Sequence, residues 1–369
     1  MYISHLHLVH YRNYLNQSFE FGRGINYIVG KNAQGKTNLL ESIYYCSTTK
    51  THRNVDDACC IYDGYDAFRI DAAVIKKNRK VDLTAIFSKS GKNLYLYRNP
   101  VKKVSDFVGF VNAIIFSPND MNIFSAQPRF RRRFMDIELS KCSKTYMFTL
   151  NEYYRILKQR NAYLKTENID GDYLSVLDEK CADLQCIILK QRYKFLHDLT
   201  EISQEFYEEL ANDSTKFSIV YKTFAQIADE KQMKEEIKKI YKNNFQRDLF
   251  LKTTEKGIHK DDFMLMIDGK NADDFASQGQ KRTILLSLKV GIVKLIEKII
   301  NDEPILLLDD VFSELDEERR RKLLDLLPKN IQIFISTTEK IHENYERPIR
   351  TILIHDGKIK EEHQNGRKT

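Results

Sequence analysis

One stretch near the start of the chain, Gly30-Lys31-Asn32-Ala33-Gln34-Gly35-Lys36-Thr37, limits the fold more than any other. It fits G-x-x-x-x-G-K-T without departure, and its flanks fit as well. The apolar run Ile25-Asn26-Tyr27-Ile28-Val29 leads into it, and Leu39, Leu40, Ile43 and Tyr44 form a helical stripe after it. Strand, glycine turn and helix together bind anions. The glycines let backbone N–H groups point inward, and the helix N-terminus adds the positive end of its dipole. Gly30, Lys31, Asn32, Ala33, Gln34, Gly35, Lys36 and Thr37 are therefore the expected nucleotide ligands. Lys36 is placed to reach the β- and γ-phosphates of ATP, and the Thr37 hydroxyl to bind Mg²⁺. A chance glycine turn opening an ordinary helix would not explain motif and flanks together.

A phosphate loop of this kind needs a partner strand ending in carboxylate. Ile305-Leu306-Leu307-Leu308-Asp309-Asp310 supplies one, since a continuous apolar run reads as a parallel strand buried on both faces. Aspartates at its end are costly unless a cation waits there. Asp309 is the expected metal ligand beside Thr37. Asp310 is the expected catalytic base for the attacking water, with Lys36 as the catalytic cation. The alternative is an aspartate pair that caps the next turn.

About thirty residues earlier, Ser277-Gln278-Gly279-Gln280-Lys281 opens a strong helix. A hydroxyl, a glycine permitting close approach and a free helix N-terminus make a second anion site. A subunit with one phosphate loop has no use for two. Ser277, Gly279 and Gln280 are therefore expected to meet the γ-phosphate of ATP held by a second copy, which makes the protein an ATP-dependent homodimer. Capping alone is the rival explanation. Ser313-Glu314-Leu315-Asp316 likewise reads either as an interface loop or as an N-cap.

The 369 residues allow two domains or one with a large insertion, and 42% apolar content supports a packed core. Period-two alternation marks strands at 3–8, 18–21, 67–75, 79–87 and 93–97. From about 125 to 255 the period turns helical, with a stripe from Leu177 to Leu210 that is one long helix or two in series. Strands return at 263–267, 305–309 and 331–336, with helices at 283–300 and 323–327. The fold class is α/β: a lobe built from both termini (1–124 and 297–369) interrupted by a mostly helical lobe (125–296). No signal peptide or membrane span is readable, and the six scattered cysteines form no zinc pattern, so a cytoplasmic location is expected.

The phosphate loop, the carboxylate strand and Ser277–Lys281 resemble the P-loop ABC-type ATPase heads of the SMC-like group. Further blocks resemble the RecF family of bacterial recombination mediators in particular. These are Ile3–Tyr11, Phe116–Asp120, Arg131–Asp136, Leu157–Asn161, Gly257–Asp262 and Leu307–Asp316, which span nearly the whole chain. Ile258 and Lys260 stand where relatives usually carry Pro and Arg, and Asn119 where Glu is common. The resemblance implies a slow ATPase that dimerises on ATP and engages single-stranded, gapped or junction DNA. It also implies work with RecO and RecR type mediators in loading a recombinase at single-strand gaps during repair and replication restart.

Other classes fit less well. A transporter ATPase subunit predicts a histidine after the strand ending at Ser336, where Thr337-Thr338 stands, and a shorter gap between Lys36 and Asp309. A structural SMC-like tether needs long heptad arrays. A small-molecule kinase has no use for Ser277–Lys281. Formal net charge is +7, compatible with a polyanionic partner. Candidate DNA contacts are Lys76-Lys77 with Arg79-Lys80, Arg129 with Arg131–Arg133, Lys158 with Arg160, Lys234–Lys242, and His52-Arg53. For Lys234–Lys242 interleaved glutamates favour a solvated face. For Arg129–Arg133 docking on an acidic edge of a neighbouring lobe is the alternative.

Overall fold

The apolar runs on either side of the phosphate loop assemble into a mixed sheet in the computed structural model, which describes residues 1–53, 55–125, 127–211, 215–315, 317–338 and 347–365. The chain divides into two compact units, one of Met1–Met121, Glu209–Asn212 and Leu285–Thr369, the other of Asn122–Glu208 and Asp213–Ile284.

In the first unit the strands Ala113–Phe116, Ile305–Asp309, Ile333–Thr337, Ile25–Val29 and Ile349–His355 lie side by side in that order and parallel, and Lys358–Asn365 adds an antiparallel edge. The first four are buried at every position, as the unbroken apolar runs required. Because they run parallel, their C-terminal ends collect at one edge, which is where ligands of open α/β sheets bind. The register sets Asp309 beside Ser336 and Val29 beside Thr337.

A second, antiparallel sheet follows the order Tyr14–Glu20, Tyr2–Tyr11, Ala67–Lys76, Arg79–Ser88, Gly91–Leu96 and Asn99–Pro100. The helix Lys36–Thr48 is buried nearly all round, not along one stripe. Its Leu39, Leu40, Ile43, Tyr45 and Cys46 share one core with Leu6, Phe68 and Leu83 of the antiparallel sheet and Ile28, Leu307 and Phe334 of the parallel one. Truncating any of these leucines to Ala typically costs about 2–5 kcal/mol, so the helix that opens at the phosphate loop is fixed by packing on both faces.

The second unit holds the helices Pro128–Cys142, Lys144–Tyr163, Gly171–Ala211 and Glu230–Leu251 and a small sheet of Phe217–Lys222, Asp262–Ile267 and Lys270–Asn271. Leu177 to Leu210 lies on one continuous helix, not two. The core of this unit is unusually ionic. Fully buried Arg160 binds Asp178 at 2.6 Å and Asp248 at 2.8 Å, and fully buried Arg192 binds Asp136 at 2.9 Å and the Ile258 carbonyl at 2.9 Å. Buried charges persist only when paired in this way. Among the described residues no helix is long and apolar enough to cross a membrane.

Candidate nucleotide site

Gly30–Thr37 wraps the N-terminus of the Lys36–Thr48 helix, with Lys31, Asn32 and Ala33 exposed at its crest. Two positions require their residues. Gly35 sits at φ 112°, and a Cβ there would lie 2.7 Å from Asn13 and 2.8 Å from the Tyr14 hydroxyl. A Cβ on Gly30 would lie 2.5 Å from the Ile354 carbonyl. Lys36 is folded back over the loop, and its Nζ donates to the carbonyls of Gly30 at 2.6 Å and Lys31 at 2.9 Å. Burial pushes its pKa down, while the charges of Asp310 and Asp309 push it up. An ammonium held over the mouth of an anion nest stands ready to exchange carbonyls for phosphate oxygens.

The carboxylate strand meets the loop at Thr37. The Thr37 hydroxyl donates to Asp309 Oδ1 at 2.9 Å, and the Ser336 hydroxyl donates to the same oxygen at 2.8 Å. Burial raises the Asp309 pKa; the two hydroxyls and the nearby charge of Arg53 oppose it. A buried carboxylate next to a threonine hydroxyl offers hard oxygen ligands, which fits Mg²⁺. Asp310 follows in the left-handed region at φ 56°, with its N–H on Ser336 Oγ at 2.8 Å and its carbonyl receiving the Ser313 hydroxyl at 2.7 Å. That turn lifts Asp310 out of the strand and leaves it half-buried. The Glu314 side chain and Asp316 lie outside the described residues.

A ring of contacts that the sequence reading missed holds the loop from outside. Asn13 Nδ2 donates to the Gln34 carbonyl at 3.1 Å and the Tyr14 hydroxyl to the Gly35 carbonyl at 2.9 Å. The Gly357 N–H reaches the same Gln34 carbonyl at 3.1 Å, and the Asp356 N–H reaches Gln34 Oε1 at 2.7 Å. Ser336 was missed too, although its strand lies between the one that leads into the loop and the one that ends in Asp309. On that helix, buried Glu41 accepts from Arg12 at 2.8 and 3.2 Å. His52 stands 3.6 Å from that Glu41, whose charge Arg12 already compensates. Burial, then Arg53, Lys289 and Arg12, push His52 down to about 3, so it is neutral. Arg53 donates to Asn38, whose amide in turn holds Asn13. His52 and Arg53 thus belong to the support of the loop.

The helix Gln278–Ile300 begins five residues before the expected Thr283. Its start is a capping box: Ser277 Oγ accepts the Gln280 N–H at 3.2 Å, and Gln280 Oε1 accepts the Ser277 N–H at 2.9 Å. Ser277 is exposed and Gln280 half-buried. A Cβ on Gly279 would meet only Ser277 Oγ, at 3.9 Å, so the chain's own packing does not demand glycine there.

Several basic candidates are already paired within the chain. Arg131 grips Asp262 at 2.7 and 2.8 Å, and Arg132 reaches the Asp261 carbonyl at 2.6 Å. Docking on an acidic edge therefore accounts for these two, and the edge belongs to the same unit. Arg160 is buried, and Lys234 lies against Glu179 and Asp183. The block Gly257–Asp262 anchors Arg131 and Arg132. Gly257 has φ 148°, and a Cβ there would lie 2.7 Å from the Tyr153 hydroxyl, so that turn is fixed by packing.

Residues 2–360 match the family model of the RecF/RecN/SMC N terminal domain. The chain is 37% identical over 360 residues to the DNA replication and repair protein RecF of Streptococcus pneumoniae, covering 97% of this chain and 98% of that protein. A solved structure of the recombination mediator protein RecF-ATP in the RecFOR pathway superposes with a TM-score of 0.91 at 31% identity, covering 99% of this chain and 98% of that one. An Smc head bound to the C-winged helix domain of ScpA shares the fold, with a TM-score of 0.57 at 14% identity over 100% of this chain and 98% of that one.

Proposed function

Since the chain belongs to the RecF family, we propose that it is an ATP-dependent DNA-binding recombination mediator, acting in repair and replication restart. The observation that carries this reading is the contact between Thr37 and Asp309, 2.9 Å apart in space and 272 residues apart in sequence. It joins a phosphate loop to a carboxylate strand, the two parts a triphosphate–metal site would need. Thr37 and Asp309 would hold Mg²⁺, which when bound neutralises charge on the β- and γ-phosphates. Lys36 would bind the same phosphates, and Asp310 would orient and deprotonate the attacking water.

The finer parts of the proposal concern assembly. Two copies would close on ATP, with the Ser277–Gln280 turn of one completing the site of the other. Hydrolysis would be slow and would reset the clamp. The partners would be gapped or junction DNA and RecO and RecR type mediators, in keeping with the RecFOR pathway of the structural relative. Sedimentation velocity with and without MgATP tests the core of this reading. The wild-type chain should shift from monomer to dimer, and Lys36→Met should stay monomeric at every ATP concentration. An ATP-driven dimer of Lys36→Met would remove the phosphate loop from its role.

A further inference from the structure

The antiparallel sheet of the first unit ends in a cationic ridge. The hairpin between Ala67–Lys76 and Arg79–Ser88 turns at Lys77-Asn78, and the next hairpin on that end turns at Tyr97-Arg98. The Tyr97 N–H bonds the Asp82 carbonyl at 2.9 Å, so the second turn lies against the strand that carries Arg79 and Lys80. Lys77, Arg79 and Lys80 are exposed, and their side chains have no hydrogen-bond or ion-pair partner among the described residues. Exposed Arg23 extends the ridge, its guanidinium 5.9 Å from the Tyr2 ring, in a cleft it shares with Lys77. Arg98 closes the other end. Its pairing with Asp82 at 3.1 Å is highly exposed and worth little. Of the acidic groups in the cleft, Asp302 and Glu303 are engaged by the Met1 ammonium, and Asp302 also lies 3.8 Å from Lys76; Glu297 is the third.

Backbone geometry adds an independent observation. Both turns are left-handed at each central residue, with φ of 46° and 60° at Lys77 and Asn78 and 52° and 66° at Tyr97 and Arg98. Asn-Gly serves such turns at least cost, and side chains like lysine, tyrosine or arginine adopt them less readily. Two neighbouring hairpins therefore bear strain that projects cations and a Tyr97 ring that is 58% exposed. Strain of this kind collects where a surface is used.

We infer that this ridge, Arg23–Lys77–Arg79–Lys80–Arg98, is a contact surface for the sugar-phosphate backbone of DNA. The inference rests on the reading of the chain as a DNA-engaging ATPase and assigns that reading a place. Arg131, Arg132 and Arg160 are spent on internal carboxylates and carbonyls and Lys234 on surface carboxylates, whereas Lys77, Arg79 and Lys80 carry no such partner among the described residues. Lysine and arginine on flexible stems above a sheet end offer charge without a base-reading helix or strand, so binding is indifferent to sequence.

The test is the salt dependence of binding to a fluorescent gapped duplex with MgATP present. Replacing Lys77, Arg79 and Lys80 by Ala should reduce the slope of log affinity against log salt by about 2–3, since each phosphate contact on duplex DNA contributes about 0.9. Affinity should fall uniformly across sequences. Arg79→Gln with Lys80→Gln leaves the Lys77-Asn78 turn intact and should reduce the slope by about 2, while Arg79→Lys should keep it. ATP-analogue binding should be unchanged in all three variants. A wild-type slope in both neutralised variants, alongside tight wild-type binding, overturns the ridge and spares the functional reading. Absence of any wild-type DNA binding with MgATP overturns both.

Discussion

Asp310 and Ser336 show how much of the site turns on single atoms. Asp310 sits one residue past the buried strand, at a positive φ that a short polar side chain tolerates better than most. Asp310→Asn keeps shape and turn but cannot take a proton from water. Turnover should fall about 10²–10⁴-fold, the usual worth of a positioned base, while the ATP-bound dimer persists longer. Unchanged steady-state hydrolysis would take Asp310 out of the chemistry. Ser336 touches no phosphate in this scheme, yet its hydroxyl donates to Asp309 and receives the Asp310 N–H. Removing a group that orients a metal ligand typically costs 10–100-fold in metal affinity. Ser336→Ala should therefore raise the Mg²⁺ concentration needed for ATP binding by about that factor, at little cost to the melting temperature. An unshifted Mg²⁺ titration would count against Asp309 as a ligand. Neither residue announces the other in sequence, because they meet only through the pairing of Ile305–Asp309 with Ile333–Thr337.

The phosphate loop borrows its rigidity from two hairpins. The turn at Asp356-Gly357 gives two N–H groups to Gln34, and Gly357 lies so close to Asn13 that a Cβ would stand 2.3 Å from its carbonyl at φ 68°. Gly357→Ala must push this turn off the loop. It should cost about 1–3 kcal/mol of stability and weaken ATP binding several-fold. Gly64→Ala is the control, for it has a similar φ of 82° but nothing within 4 Å; it should lose stability and keep its ATP affinity. Equal ATP affinity in both variants would show that the hairpin does not brace the loop. Elements like Ile25–Val29, Lys36–Thr48 and Ile305–Asp309 were legible because apolar period and motif coincide in a short window. The hairpin of Ile349–His355 and Lys358–Asn365 was not. It is an edge element whose second strand, rich in Lys and Glu, reads as solvated chain, and its pairing with Ile25–Val29 crosses some 320 residues. Arg160 was misread, and Arg131 left open between DNA and an acidic edge, for a related reason. Sequence displays a charge, but not the distant carboxylate that neutralises it.

At the scale of the whole molecule the open question is whether one subunit closes its own site. Ser277 and Gln280 satisfy each other in a capping box, which explains why those two residues stand at a helix start. Gly279 is left without such a reason, since the space before it is open. A glycine that the chain's own packing does not need, in the first turn of a 23-residue helix, fits the approach of an anion from another molecule. Mixing two defective chains decides the matter. Lys36→Met lacks a working phosphate loop, and Gly279→Asp sets a negative charge where the γ-phosphate would arrive. Each alone should remain monomeric with MgATP, and Gly279→Asp should still bind ATP as a monomer. If sites are shared, a mixed dimer has one site with both parts intact, namely the loop of the Gly279→Asp chain and the Gly279 turn of the Lys36→Met chain. Mixing should then restore ATP-dependent heterodimers, detectable by energy transfer between differently labelled chains, with hydrolysis confined to one site in two. If each subunit completes its own pocket, the mixture contains no intact site, and neither association nor turnover returns.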